Sequence, residues 1–193
     1  MVLLQKVWYN PCGSSPKGIH GRIRVEVMLT LRQAKTEELD LCVEILRQGR
    51  AFQRQQGFTQ WTDDFPDPAA IMEDIQKGCG FLLIKDGEIA GYQYISLDGD
   101  PSYPYMEGTW QQDGCYGVVH RIAFSPAFRG QGLSRQAFEV IGAYCKEKGA
   151  KSLRLDTHPD NKRMQHVLEN AGFSYRGIVM LPVGLRWAYD KIL

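Results

Sequence analysis

Two glycines and two arginines lie in one short segment, AFRGQGLSR (residues 127–135), and their types and spacing favour binding of an anion. Gly130 and Gly132 let the backbone approach a ligand closely and turn its N–H groups outward. The free N–H groups and the dipole of the helix predicted after this loop favour negative charge. Arg129 and Arg135 could pair with phosphates as forked donors. The segment therefore predicts a phosphate or pyrophosphate site; the plain alternative is an ordinary strand-to-helix loop.

Two common phosphate loops do not fit. A dinucleotide-binding loop needs G-x-G-x-x-G, and its third glycine is replaced here by Arg135. A P-loop needs G-x-x-x-x-G-K-[ST]. The nearest spacing runs from Gly13 to Gly18, but Ile19 and His20 follow in place of the lysine and the hydroxyl.

The elements that must position this loop can be predicted from hydrophobic periodicity. A strand over 116–124 precedes the loop and a helix over 133–148 follows it, and then come a strand over 152–157 and a helix over 161–171. The other predicted elements are a strand at 22–33, helices at 36–49 and 69–77, a hairpin at 80–97 turning at Asp86-Gly87, a polar and aromatic loop at 98–114, and strands at 173–180 and 183–192. About seven strands and four helices in mixed order predict an α/β (α+β) fold with helices on both faces of the sheet.

The loop resembles that of the Gcn5-related N-acetyltransferase (GNAT) superfamily. The family's pyrophosphate loop has Arg or Gln, two residues, Gly, one residue, and then Gly or Ala. Arg129, Gly132 and Ser134 occupy those places, and Ser134 departs from the pattern while remaining small.

The order of motifs strengthens the resemblance. A strand ends at Ile122-Ala123-Phe124 before the loop, and a second strand is followed by Asn161 and a helix that ends at Ala171-Gly172-Phe173. Coverage runs over roughly residues 29–190. The resemblance implies a mixed, mostly antiparallel, twisted sheet whose two central strands splay apart, and an enzyme that transfers an acetyl group from acetyl-CoA to an amine.

The resemblance also implies residue roles. The backbone of the first splayed strand is expected to bind the pantetheine arm, the loop N–H groups the pyrophosphate, and Asn161 the cofactor arm near the end of the second strand. The full set of expected cofactor-binding residues is Ile122, Ala123, Phe124, Arg129, Gly130, Gln131, Gly132, Leu133, Ser134, Arg135 and Asn161.

The proton-transfer residues are less well marked. His120 is the best candidate for the base, since an imidazole suits base chemistry near neutral pH and strand alternation predicts that its side chain shares a face with Ile122 and Phe124. A buried, hydrogen-bonded structural histidine is the alternative. Many relatives carry an acid tyrosine seven residues after the asparagine, where this chain has Leu168. Tyr175 is the nearest substitute.

Weaker base candidates are His158, His166 and Glu107. The acceptor is expected to be a small amine or an amino-acid-like molecule, because aspartates and aromatic side chains are frequent in the segments on the acceptor side. Two alternatives remain: a protein or peptide acceptor, and a module that binds acetyl-CoA without catalysis, which the missing helix tyrosine suggests.

Composition limits the other classes. The chain has 193 residues and a net charge of +1, which gives no global electrostatic case for nucleic acid or an anionic membrane. Its five cysteines are widely spaced, which argues against zinc and disulfides and predicts a chain that needs no metal. The predictions are a cytoplasmic protein with a flexible extension over 1–21 and one domain over 22–193, with Met28 as an alternative start and a homodimer as an option.

Overall fold

The computed structural model describes residues 29–193, and one eight-stranded sheet runs through them. The strands are β1 (Leu29–Gln33), β2 (Gly80–Lys85), β3 (Glu88–Ser96), β4 (Glu107–Gly108), β5 (Tyr116–Phe124), β6 (Ser152–Thr157), β7 (Ser174–Leu181) and β8 (Gly184–Ile192). The α-helices are α1 (Leu39–Gln55), α2 (Pro68–Gln76), α3 (Leu133–Glu147) and α4 (Lys162–Asn170). The expected extension over 1–21 and the expected strand residues 22–28 lie outside the described residues.

The strand order is β1-β2-β3-β5-β6-β8-β7-β4, and β5 with β6 is the one parallel pair among residues 29–193. The predicted mixed and mostly antiparallel sheet is therefore confirmed, with β4 as an additional two-residue strand inside the predicted loop. In this part of the chain, no helix combines the length and apolar character that a membrane crossing requires.

Both faces of the sheet are covered, which explains the unbroken apolar run of β2. Phe81 and Leu83 pack in the clusters formed with α3, whereas Leu82 packs with α1 and α2. A strand buried on both faces has no polar side to alternate with its apolar one. The helices therefore lie in pairs, α1 and α2 on one face and α3 and α4 on the other.

The hairpin that joins β2 to β3 has the predicted turn. Asp86 and Gly87 have φ angles of 52° and 86°. Two positive φ angles match the right-handed twist of the strands that the turn connects.

The segment between β3 and β5 packs onto the sheet instead of extending into solvent. Tyr103 is buried against Val118, Val179 and Ala188. This packing places the preceding residues of the segment beside the middle of β5.

The two central strands splay apart as expected. β5 and β6 pair only from Tyr116 with Ser152 to Val118 with Arg154. Beyond those pairs, β5 continues along β3 to Phe124, and β6 continues along β8 to Thr157. A gap therefore opens in the sheet where the second half of β5 leaves β6.

A β-bulge in β5 lies at this gap, and it corrects one prediction. Tyr92 pairs with Ala123 and Tyr94 pairs with His120, so β5 has one residue more than β3 over this stretch. Directly paired residues point to the same face of a sheet, so His120 shares a face with Ala123. The prediction that His120 shares a face with Ile122 and Phe124 is wrong, because simple alternation does not allow for the extra residue.

Candidate active site

Two cavities open on either side of the gap between β5 and β6. The first, of about 430 Å³, is here called the loop-side cavity because the loop before α3 forms one wall. The second, of about 410 Å³, is called the histidine-side cavity because His120 lines it. The residues common to both walls are Gln53, Trp61, Ile122, Asn161 and Met164. The two cavities therefore meet at the gap.

The loop-side cavity contains all but one of the residues expected to bind a cofactor. Those that line it are Ile122, Ala123, Phe124, Arg129, Gly130, Gly132, Leu133, Ser134, Arg135 and Asn161. The exception is Gln131, whose side chain donates to Ala127 O at 2.7 Å and accepts from Lys85 Nζ at 2.7 Å. These two hydrogen bonds hold the Gln131 side chain outside the cavity.

The first turn of α3 faces the cavity without a side-chain cap. Gly132 stands at the N-cap with φ of 72°, and Gly130 has φ of 73°. A Cβ atom built on either glycine would meet no other atom within 4 Å. The glycines are thus required by backbone conformation and not by crowding. Uncapped N–H groups at the positive end of a helix favour an anion.

Arg129 leaves part of its guanidinium unsatisfied in the cavity wall. Its Nε donates to Phe124 O at 2.9 Å, and its Nη2 is buried without a hydrogen-bond partner in the described part of the chain. Burial lowers the pKa of Arg129. The guanidinium groups of Arg129 and Arg163 lie 5.0 and 5.2 Å from the Phe52 ring. Two cations, one of which has an unpaired buried donor, fit a ligand that carries phosphate groups.

The other flanking arginine faces solvent. Arg135 Nε lies 3.0 Å from Glu139 Oε1, one turn along the exposed side of α3. Arg135 therefore lines the cavity mouth and already has an anionic partner.

The histidine-side cavity holds a compact cluster of ionisable groups. His120 Nε2 lies 3.1 Å from Asp100 Oδ2, and His120 Nδ1 lies 3.6 Å from Asp156 Oδ2. Tyr103 donates its hydroxyl hydrogen to the same Asp156 oxygen at 3.0 Å. Arg186 Nε is 3.9 Å from the other oxygen of Asp156. The cluster joins residues from β5, β6, β8 and the segment before β4.

The two carboxyl groups differ in their environments. Burial would raise the pKa of Asp100, but hydrogen bonds from His120 and from the Ser102 N–H outweigh it, and the pKa is lowered. Burial raises the pKa of Asp156, and the nearby His120, the Tyr103 hydroxyl and Arg186 offset only part of that effect. Asp100 is therefore ionised at neutral pH and can only accept a hydrogen bond. His120 Nε2 accordingly carries the proton, and a neutral ring has its lone pair on Nδ1.

Asn161 is the N-cap of α4. Its Oδ1 accepts from Met164 N at 3.0 Å, and its Nδ2 donates to Gln60 Oε1 at 3.2 Å. Gln60 also accepts from Thr157 Oγ1 at 3.3 Å. Asn161 thus joins the start of α4 to the segment between α1 and α2, where the two cavities meet.

Tyr175 is not brought to either cavity. It lies on β7, is 48% exposed, and packs edge-on against Trp187 and Tyr189. Leu168, at the position where the family resemblance leads one to expect a tyrosine, is fully buried in the core.

The weaker base candidates also lie outside both cavities. His158 accepts from Asp160 N, His166 contacts Asn170, and Glu107 is exposed on β4. Within residues 29–193, no group of three or more His, Cys, Asp or Glu side chains is arranged to hold a metal ion.

Sequence reasoning missed Asp156 and Arg186. The available signal was a charged residue inside an otherwise buried strand, since SLRLDT contains Asp156 and GLRWAYDKI contains Arg186. Charged residues are rarely fully buried unless they are paired, so such positions point to a polar cluster.

The chain matches a family model across about two thirds of its length. Residues 46–173 match the model described as "Acetyltransferase (GNAT) family".

Individual proteins show the same likeness. A GNAT-family acetyltransferase of known structure from Streptococcus agalactiae is 33% identical, with a TM-score of 0.77 over 86% of this chain and 95% of that one. The aminoglycoside acetyltransferase AAC(6')-Ib, solved with coenzyme A and kanamycin, has a TM-score of 0.64 over 85% of this chain and 94% of that one; at 18% identity it shows the fold alone.

A curated relative matches a shorter region. The putative [ribosomal protein bS18]-alanine N-acetyltransferase of Bacillus subtilis is 30% identical over 99 residues, which is 51% of this chain. The match spans only 56% of that relative.

Proposed function

The chain belongs to the acetyltransferase (GNAT) family, and we propose that it transfers the acetyl group of acetyl-CoA to a small primary amine. The observation that carries this proposal is the meeting of two chemically different cavities at the β5–β6 gap. One ends at an uncapped helix N-terminus with an unsatisfied arginine, and the other holds a histidine between two carboxyl groups.

The loop-side cavity would hold the cofactor. The N–H groups that follow Gly132, together with Arg129, would bind the diphosphate, while the β5 backbone from Ile122 to Phe124 would border the arm that runs through the gap. When bound, acetyl-CoA supplies a reactive thioester. An N–H group on the edge of β5 beside the gap could polarise its carbonyl.

The histidine-side cavity would hold the amine and take its proton. With Nε2 bonded to Asp100, the neutral ring of His120 presents its lone pair at Nδ1. An ammonium beside Nδ1 would also lie next to Asp156, whose carboxylate would stabilise its charge. His120 would then act as the base, and Asp100 would hold the ring in the required tautomer.

The leaving group, the thiolate of coenzyme A, does not need a protein side chain to protonate it. A thiol titrates near pH 8.5, so a thiolate can leave near neutral pH without a protein acid. This accounts for Leu168 at the position of the usual tyrosine and for the location of Tyr175 outside the cavities.

The acceptor follows from cavity size and charge. A volume of about 410 Å³ suits a small molecule, and the ionised Asp100 in its wall suits a cation. A protein N-terminus is the second candidate, because the B. subtilis relative is a putative alanine N-acetyltransferase of a ribosomal protein. A non-catalytic module is disfavoured by the histidine and carboxyl cluster, which binding of acetyl-CoA alone would not require.

Calorimetric titration with acetyl-CoA, with NAD and ATP as controls, tests the cofactor assignment. We expect binding of acetyl-CoA alone. Ser134→Glu adds a negative charge to the first turn of α3, which helix stability tolerates. It should nevertheless weaken acetyl-CoA binding by about tenfold or more, because it repels the diphosphate.

Gln131→Glu is the matched control, because it adds the same charge to the same loop on the side away from the cavity. Equal loss of affinity in both variants would show that the loop responds to net charge and not to a bound diphosphate. Release of free thiol in the presence of amines then tests transfer. Turnover on peptides with none on small amines would reverse the order of the two acceptors.

A further inference from the structure

The β-bulge in β5 is built on a residue in an unfavourable backbone conformation. Arg121 has φ of 52°, a left-handed value that costs a non-glycine residue free energy and persists only where surrounding contacts offset that cost. The extra residue of β5 lies between His120 and Ala123, so Arg121 is part of the bulge itself.

Arg121 forms an ion pair with Asp74, a buried residue of α2. Arg121 Nε donates to Asp74 Oδ2 at 2.8 Å, and Arg121 Nη2 donates to Asp74 Oδ1 at 2.5 Å. Asp74 also accepts from the Tyr92 hydroxyl at 2.9 Å, and the guanidinium lies 4.6 Å from the Tyr94 ring. The side chains of Asp74 and Arg121 are 6% and 16% exposed. Because the Arg121 guanidinium makes two hydrogen bonds to a largely buried carboxylate, both its orientation and its distance from Asp74 are fixed.

The bulge allows His120 to face Asp100 while Ala123 still packs against Trp61 and Tyr92. A strand shifted by one residue presents all its side chains to the opposite face. Without the extra residue, either His120 would turn away from Asp100, or Ala123 would turn away from Trp61 and Tyr92, with which it packs. Asp74 itself lines neither cavity.

We propose that Asp74 is a positioning residue of the active site, because its ion pair holds Arg121 in the left-handed conformation that maintains the β5 bulge between the cavities. This inference rests on the proposed function for its catalytic meaning. The ion pair between Asp74 and Arg121 is present in the chain without any ligand. Its loss should loosen β5 from His120 to Phe124 and weaken binding in the loop-side cavity.

Three variants separate the backbone conformation from the ion pair. Asp74→Asn keeps an oxygen that accepts from the Tyr92 hydroxyl but removes the negative charge that pairs with Arg121. Asp74→Asn/Arg121→Ala removes the pair and leaves a residue that is strained at positive φ. Asp74→Asn/Arg121→Gly removes the same pair but leaves a residue that adopts positive φ freely.

Hydrogen exchange of the amides of residues 119–124 in the unliganded protein is the first readout. We expect exchange about tenfold faster in Asp74→Asn and in the alanine double variant than in the wild-type chain, and recovery in the glycine double variant. The dissociation constant for acetyl-CoA should follow the same order. Unchanged exchange in Asp74→Asn, or a glycine variant no better than the alanine variant, would overturn the proposal.

Thermal unfolding of each variant checks that it is folded. If Asp74→Asn does not fold, Arg121→Ala and Arg121→Gly with Asp74 intact make the same comparison. Failure of the wild-type chain to bind acetyl-CoA would refute the proposed function, whereas the exchange comparison would still decide whether Asp74 holds the bulge.

Discussion

At the scale of single residues, His120 is the side chain on which the proposed chemistry depends most. His120 lines the histidine-side cavity and has a carboxyl group near each ring nitrogen. His120→Ala should lower turnover at neutral pH by about 10²–10⁴-fold, the usual contribution of a positioned base. The loss should shrink as pH rises towards the pKa of an ordinary amine, about 10, because more acceptor is then already deprotonated. Rates of thiol release measured across pH check this.

The control for that prediction is Tyr175→Phe, which removes the other sequence-based candidate for proton transfer. Its hydroxyl lies on a half-exposed ring outside both cavities, so turnover and its pH profile should be unchanged. A His120→Ala profile parallel to that of the wild-type chain would remove His120 from the mechanism.

The role of a single residue could be predicted only where the sequence pattern that marks it lies within one segment of the chain. The loop residues from Arg129 to Arg135 could be recognised because glycine spacing, arginines and a following helix lie within one segment. Asp156 and Arg186 each had a local signal, a charge in a buried strand, but their contact could not be predicted because they meet only through the pairing of β6 with β8. Nothing in the one-dimensional pattern specifies that contact.

At the scale of elements, three helices and the hairpin were predicted well, because each is determined by periodicity or by two turn residues. The exception is α1, which runs to Gln55 and so passes its predicted end at Gly49. α3 and α4 have the predicted positions to within a residue at each end, and Asp86-Gly87 forms the predicted turn. The β5 bulge was missed because it depends on Asp74, which is 47 residues away along the chain. Alternation within β5 alone gives no sign of it.

Asn161 illustrates how one residue can have both a structural and a binding role. Its Oδ1 caps α4, so Asn161→Ala should lower the free energy of unfolding by about 1 kcal/mol. Asn161→Ser should recover most of this loss, because serine is also a good N-cap. Urea denaturation measures the difference between the two variants.

Acetyl-CoA affinity in the same pair tests the binding role. Serine lacks the Nδ2 group that donates to Gln60 at the junction of the cavities. If Asn161 helps to hold the cofactor arm, Asn161→Ser will be nearly as stable as the wild-type chain yet will bind acetyl-CoA more weakly. Equal affinity would leave Asn161 as a helix cap alone.

At the scale of the whole molecule, the sheet and its helices place two cavities at one gap. The walls of the loop-side cavity come from α1 on one face and from α3 and α4 on the other, and the two cavities meet where β5 diverges from β6. The wall common to both cavities consists of Gln53, Trp61, Ile122, Asn161 and Met164. None of these side chains is a nucleophile that forms an acyl-enzyme in the way serine or cysteine does.

This arrangement predicts direct transfer within a ternary complex. Initial rates with both substrates varied should give intersecting double-reciprocal lines, because acetyl-CoA and the amine must be bound together before reaction. Mass spectrometry of the chain with acetyl-CoA alone should show no acetyl group retained on the protein at the rate of turnover. Parallel lines together with a protein-bound acetyl group would instead require a covalent intermediate, and the nucleophile would then have to lie outside the shared wall.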